Sequence, residues 1–168
     1  MQERHFQEIC LADIRPNQWN PRKIFEGKAF EELVASVRGK GVLEPILVRP
    51  LQTKKEAYEI VAGERRYRAA CVVAEENGGI EHGMIPAIVQ EMTDDGAFEV
   101  MTIENLQRES LTELEEARSF KTWVDRKGED AVGELAERCG IDARYIRRRI
   151  AVLGLPEEML AAWEKGKI

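Results

Sequence analysis

The chain has 168 residues, 43% hydrophobic and 33% charged, which fits a globular protein of one large domain or two small ones. No apolar run approaches the ~18 residues that span a membrane, and the opening MQERHFQEIC lacks the apolar stretch of a secretory signal, so no membrane role and a cytoplasmic location are expected. The net charge of −6 speaks as a whole against DNA binding, but arginines crowd Arg65–Arg68 and Arg144–Arg149 while acids crowd Glu104–Glu116 and Glu157–Glu164.

The segment from Ile9 to Pro21 reads as extended, because Pro16 and Pro21 bar a helix through it. A helix is predicted over Lys28–Lys40, where Phe30, Leu33, Val34 and Val37 fall on one face and Gly39 and Gly41 supply the stop. Two apolar runs, Pro45–Arg49 and Tyr58–Ala62, read as strands joined by a polar turn at residues 53–56. Gly63 then punctuates, and from Glu64 to Asn77 the pattern turns helical with Tyr67, Ala70, Cys71 and Ala74 on one face. A further strand is predicted over Ile85–Glu91, which makes residues 1–95 an α/β or α+β domain, with α+β the expected class.

Beyond Thr93 the pattern is helical throughout, with a domain change expected between Thr93 and Ser110 and a second domain over residues 96–168. Helices are predicted over Asp95–Gln107, from Thr112 to Lys127, over Asp130–Cys139, over Asp142–Leu153 and after Pro156. Thr112 and Glu115 have capping-box spacing. The three cysteines are widely spaced and the two histidines isolated, which argues against a disulfide framework and against a structural zinc site.

Three constellations carry chemistry. The first is Gly63-Glu64-Arg65-Arg66-Tyr67-Arg68, a strand, a glycine and a helix start in that order. The first N–H groups of a helix lack intrahelical acceptors and the helix dipole adds positive charge there, so that end attracts anions. Arg65, Arg66 and Arg68 add fixed charge, and their mutual repulsion is relieved either by a bound phosphate or by pairing with Glu64, Glu75 or Glu76. The second is Glu104-Asn105-Leu106-Gln107-Arg108. Glu104 and Arg108 share a helix face with Asn105 about 100° away, an arrangement suited to a nucleotide-borne Mg²⁺ and an attacking water, or equally to a plain ion pair.

The third is Ala131–Leu153, with helix-turn-helix spacing around Gly140, Asp142 as N-cap, and Val132, Leu135, Ala136, Ile141, Ile146 and Ile150 as a small core. Arg138, Arg144, Arg147, Arg148 and Arg149 face a single acid, Asp142, in this stretch. Arg144, Arg147 and Arg148 project from the second helix, the one that enters the major groove in such motifs.

Taken in order, these segments resemble the ParB family of chromosome and plasmid partition proteins. The resemblance runs from Ile9 to Ile168 through Pro21-Arg22-Lys23, Gly41-Val42-Leu43-Glu44-Pro45-Ile46, Ala62 to Ala70, Ile103 to Arg108, Leu114-Glu115-Glu116-Ala117, the helix-turn-helix and Leu155-Pro156. It implies a small mixed-sheet, ParB/sulfiredoxin-like N-terminal domain that binds CTP, followed by an all-helical DNA-binding domain. It implies that Glu44, Pro45, Ile46, Gly63, Glu64, Arg65, Arg66, Glu104, Asn105 and Arg108 contact the nucleotide, that Glu104 and Asn105 serve Mg²⁺ and slow hydrolysis, and that Arg138, Arg144, Arg147 and Arg148 contact DNA.

The implied protein is a homodimeric, nucleoid-associated sliding clamp on a centromere-like site, with a ParA-type ATPase as partner. Glu44 departs from the family's usual Gln, and the sequence is expected to be either a trimmed or a divergent short form without the family's C-terminal dimerisation domain. Two other readings remain open: a nucleotide-independent transcription regulator or nucleoid-occlusion relative, and an enzyme of the sulfiredoxin or nuclease kind. The last lacks a cysteine in the phosphate loop, since Cys71 falls later on the core face.

Overall fold

The computed structural model describes residues 3–20, 25–52, 57–108 and 111–167. Pro21, Arg22, Lys23, the turn at residues 53–56, Ser110 and Ile168 lie outside the described residues. Two compact units divide inside a helix, at residues 101 and 102.

The first unit is built on a five-stranded sheet of β1 (Arg4–Cys10), β2 (Ile14–Arg15), β3 (Ile46–Pro50), β4 (Tyr58–Ala62) and β5 (Met84–Gln90), in the order β1-β5-β3-β4-β2. β1 pairs antiparallel with β5 and β3 with β4, whereas β3–β5 and β2–β4 are parallel, so the sheet is mixed. β5 shows why it is a strand: Ile85, Ala87 and Val89 are buried on one face and alternate with more accessible neighbours.

Helices α1 (Lys28–Lys40) and α2 (Glu64–Glu76) lay their apolar stripes on that face. Val34 and Val37 of α1 and Tyr67, Ala69, Ala70 and Ala74 of α2 join Ile9, Ile46, Val48, Ile60 and Ile85 in one core. Burying each aliphatic side chain contributes about 1.5–3 kcal/mol. Gly39 lies within α1, and the stop falls at Gly41.

The other face of β3 and β4 carries charge. Arg49 and Glu59 are cross-strand partners, both buried, and Arg49 Nη2 meets Glu59 Oε2 at 2.5 Å. Glu59 Oε1 also accepts from Arg15 at 3.0 Å, while Arg49 Nη1 donates to Asp94 Oδ1 at 2.6 Å. Burial opposes the charge on Arg49, but Glu59 and Asp94 outweigh it and raise its pKa. The cluster ties β2, β3 and β4 to the start of α3 (Asp94–Leu106).

The second unit is helical in its described residues: α4 (Glu113–Lys127), α5 (Val132–Cys139), α6 (Ala143–Ala151) and α7 (Glu157–Glu164) follow the end of α3, with 3₁₀ turns at Glu129–Ala131 and Val152–Gly154. The expected helices at Asp130 and Leu153 are therefore shorter, their outer turns being 3₁₀, the common tightening at helix ends. The capping box at Thr112 forms, with Glu115 N donating to Thr112 Oγ1 at 3.2 Å and Thr112 N to Glu115 Oε2 at 2.9 Å. Asp142 caps α6, accepting from Arg144 N at 2.6 Å. Leu114, Phe120, Trp123, Val132, Leu135 and Ile146 are buried, while Ile141 and Ile150 are half-buried.

Candidate functional site

The start of α2 is shaped by its sequence at three levels. Gly63 has φ +99°, the left-handed region that L side chains avoid, and a Cβ there would lie 2.7 Å from Ile46 Cγ2 and 3.3 Å from Ile46 Cα. Only glycine lets β4 turn into α2 this close to β3. Gly63 also offers no side-chain cap, so the helix end keeps its donors for something other than its own N-cap residue.

The side chains around this end divide into an inner and an outer set. Glu64 turns inward: it is buried, accepts from Arg68 Nη2 at 3.0 Å, and is held from the other side by Asn20 Nδ2. Arg68 is thereby neutralised, and its guanidinium lies 5.3 Å from the Phe25 ring. Arg66 faces outward and is pinned: both protons of Nη1 go to backbone carbonyls, Glu44 O and Pro45 O, each at 2.9 Å. Nη2 and Nε are left to address a ligand. Arg65 is half-buried beside it. The Glu44 carboxylate, 83% exposed, lies 3.5 Å from Arg66 Nη1. Glu44, Pro45, Ile46, Gly63, Arg65 and Arg66 are thus gathered at one helix end, with Glu64 beneath them.

Along the core face of α2, Tyr67 donates its hydroxyl to Ile14 O at 3.0 Å. Cys71 sits beside it, and burial pushes the Cys71 thiol pKa up. A thiol held protonated is a poor nucleophile, which counts against a cysteine enzyme on this fold.

Near the end of α3, Glu104 forms the expected pair with Arg108, which lies just beyond the helix, Oε2 to Nη2 at 3.2 Å, and both are partly open to solvent. Asn105 is not with them. It is 3% exposed and faces α4, where its Nδ2 donates to Ser119 Oγ at 2.9 Å. Among the described residues no three His, Cys, Asp or Glu side chains cluster as ligands for a metal. No helix there is long and apolar enough to cross a membrane.

The arginines of the α5–α6 pair also divide. Arg149 is internal: it contacts Glu113 at 3.0 Å and Glu116 at 2.8 Å, and donates to Tyr145 Oη at 2.7 Å, and these partners raise its pKa. Arg147 Nε donates to Glu129 at 2.9 Å and Arg138 pairs with Glu134 at 2.7 Å, both near the surface. Arg144 and Arg148, four apart on α6, are exposed and have no side-chain partner among the described residues. Asn20 and Ser119 are the two supporting residues that sequence reasoning did not single out. A buried polar group implies a partner, but that partner lies 44 residues from Glu64 in one case and 14 from Asn105 in the other.

Comparison with known proteins places the chain among a set of relatives. The chain is 42% identical over 160 residues to the chromosome-partitioning protein Spo0J of Thermus thermophilus, covering 95% of this chain and 55% of that protein. It is 38% identical to a nucleoid occlusion protein of Listeria monocytogenes, covering 93% of this chain and 51% of the relative. The chain thus spans about half the length of these curated relatives.

Among solved structures, C-terminally truncated ParB of Caulobacter crescentus complexed to the centromeric parS site matches at TM-score 0.66 and 32% identity, covering 96% of this chain and 79% of that one. The same protein complexed with CTP-gamma-S matches at TM-score 0.52 and 33% identity, covering 97% and 86%. The ParB N-terminal domain model matches residues 1–106, more than half the chain, and with these relatives it shows that the chain belongs to the ParB family.

Proposed function

We propose that this chain is the nucleotide- and DNA-binding part of a partition protein, a homodimeric clamp that CTP and Mg²⁺ switch on a centromere-like DNA site. The observation that carries the nucleotide half is Arg66. Its Nη1 is fixed by Glu44 O and Pro45 O, so its remaining N–H groups are held in place beside the uncapped start of α2. That preorganisation suits a polyphosphate, because the ordering cost is already met in the fold. The family member solved with CTP-gamma-S supports cytidine triphosphate as the ligand.

Mg²⁺ takes oxygen ligands, keeps several waters and rides on phosphates, so one or two protein oxygens suffice. The Glu104 carboxylate and the Asn105 amide oxygen are donors of that chemical kind, although the Asn105 amide packs against α4 rather than beside Glu104, and bound Mg²⁺ would offset the phosphates' negative charge. Glu104 and Asn105 are assigned to slow hydrolysis and Arg108 to holding Glu104 in place, as their ion pair supports. Glu44 competes for Arg66 as a nearby carboxylate where the family's usual Gln would carry no charge.

The DNA half rests on α6. Arg144 and Arg148 are exposed on one helix face with Arg147 between them, and Arg138 adds charge from α5. The α5–turn–α6 segment is read as a helix-turn-helix with α6 as its recognition helix. A ParA-type ATPase as partner and a place on the nucleoid follow from the same family reading.

Calorimetry with the four NTPs and Mg²⁺ tests the proposal. CTP is expected to bind most tightly, and Arg66→Ala to weaken it by about 1.5–3 kcal/mol, roughly tenfold to a hundredfold, the worth of charge-assisted hydrogen bonds. Absence of binding by any nucleotide would end this reading. The 38% identity to nucleoid occlusion proteins is consistent with a second one, a nucleoid-occlusion-type DNA-binding relative, for which nucleotide independence is the distinguishing property. A footprint unchanged by CTP would select it.

A further inference from the structure

We propose that Ser119 decides which end of the Asn105 amide is offered to a ligand, and is thus a positioning residue for the hydrolytic step; this rests on the role given to Asn105 above. One proton decides the arrangement. The Glu115 carbonyl can only accept, and Ser119 Oγ donates to it at 2.9 Å. A hydroxyl has a single proton. Toward Asn105, Ser119 therefore presents lone pairs alone.

Asn105 meets those lone pairs with its donor, Nδ2, at 2.9 Å. The reversed amide would set its oxygen against the Ser119 oxygen, and the hydroxyl would have to give up Glu115 O to put a proton between them. Asn105 and Ser119 are 3% and 4% exposed, so bulk water is kept from the contact between the two side chains. The Ser119 bond to Glu115 O therefore favours one polarity for the chain Glu115 O, Ser119 Oγ, Asn105 Nδ2.

What remains is Asn105 Oδ1, and among the described residues no donor meets it. It is an acceptor only. An acceptor can take a hydrogen bond from an attacking water or ligate a nucleotide-borne cation, and the amide's NH₂ end can do neither. Ser119 supplies this orientation without touching the ligand. The sequence holds no hint of it, since Ser119 belongs to the buried face of α4, in the run Ala117, Ser119, Phe120 and Trp123.

The test compares the unaltered chain with Ser119→Ala, Ser119→Thr and Asn105→Ala, reading CTP affinity by calorimetry and hydrolysis by single turnover. Loss of a group that orients a ligand-binding side chain typically lowers activity about 10- to 100-fold. Ser119→Ala is expected to fall by that factor toward the Asn105→Ala rate with its affinity nearly unchanged, and Ser119→Thr, which keeps the hydroxyl, to restore most of the rate.

A Ser119→Ala chain that hydrolyses normally while Asn105→Ala does not would overturn the inference and leave the proposed function standing. An Asn105→Ala chain with full activity would instead remove the role of Asn105, and that of Ser119 with it. Equal losses of affinity and rate in Ser119→Ala would mark a merely structural residue. Should Ser119→Ala fail to fold, the Asn105 side-chain amide protons of the unaltered chain give the answer by NMR. Slow exchange supports the fixed orientation, and exchange as fast as an exposed amide's refutes it.

Discussion

Gly63 joins local geometry to function at a single Cα. Its φ of +99° costs an L residue about 1–2 kcal/mol. Ile46 leaves a Cβ no room, since the contact at 3.3 Å is with backbone rather than with a side-chain tip that can swing away. Gly63→Ala is therefore expected to destabilise the chain by about 2 kcal/mol or more, a fall in Tm of roughly 4–8 °C for a chain of this size. It should also weaken nucleotide binding beyond what the stability loss explains, because the start of α2 must shift. A thermal melt of Gly63→Ala that superposes on the parent would contradict the account. The same residue shows why this part of the site is legible in sequence: a strand, a glycine and an arginine-rich helix start are consecutive. Asn105 shows the opposite. Its neighbours in sequence, Glu104 and Arg108, suggest a shared outward face, but burial against α4 decides where its amide goes.

Elements are readable where one periodicity dominates. α1 and α2 follow from apolar residues three and four apart ended by Gly41 and Asn77. β1 does not: in Arg4–Cys10 only Ile9 is buried, because the strand lies at the sheet edge, and an edge strand leaves little alternation to see. Pairing is likewise invisible, and so is the charge it buries. Arg49 and Glu59 are ordinary charged residues in the sequence until the β3–β4 register sets them opposite each other.

That pairing predicts an asymmetry. Glu59→Leu leaves Arg49 and Arg15 facing one another with only Asp94 to compensate. Breaking one side of a buried pair costs about 3–5 kcal/mol, whereas replacing both sides by apolar groups is close to neutral. Urea melts should therefore show the Glu59→Leu, Arg49→Met double variant to be more stable than Glu59→Leu alone. A double variant at least as unstable as the single one would mean that the pair does not hold β3 and β4 as described.

A net charge of −6 sets the terms on which the whole chain can meet DNA. Like charge opposes approach at long range, so affinity must come from a few cations placed against phosphates or bases at short range. The structure narrows the candidates by showing which arginines are already engaged. Arg149 is held by Glu113, Glu116 and Tyr145, and its loss should lower stability rather than alter how binding responds to salt. Arg144 and Arg148 are exposed on one face of α6. Each phosphate contact released should reduce the slope of log Kobs against log salt by about 0.9. Arg144→Ala and Arg148→Ala are therefore each expected to flatten the salt dependence by about that amount if they contact phosphate. If one of them reads a base edge instead, the slope should hold while discrimination between sites falls by about 1–3 kcal/mol. Binding titrations on specific and random duplexes at several salt concentrations separate the two cases. A chain in which neither substitution changes slope or discrimination would not use α6 on DNA.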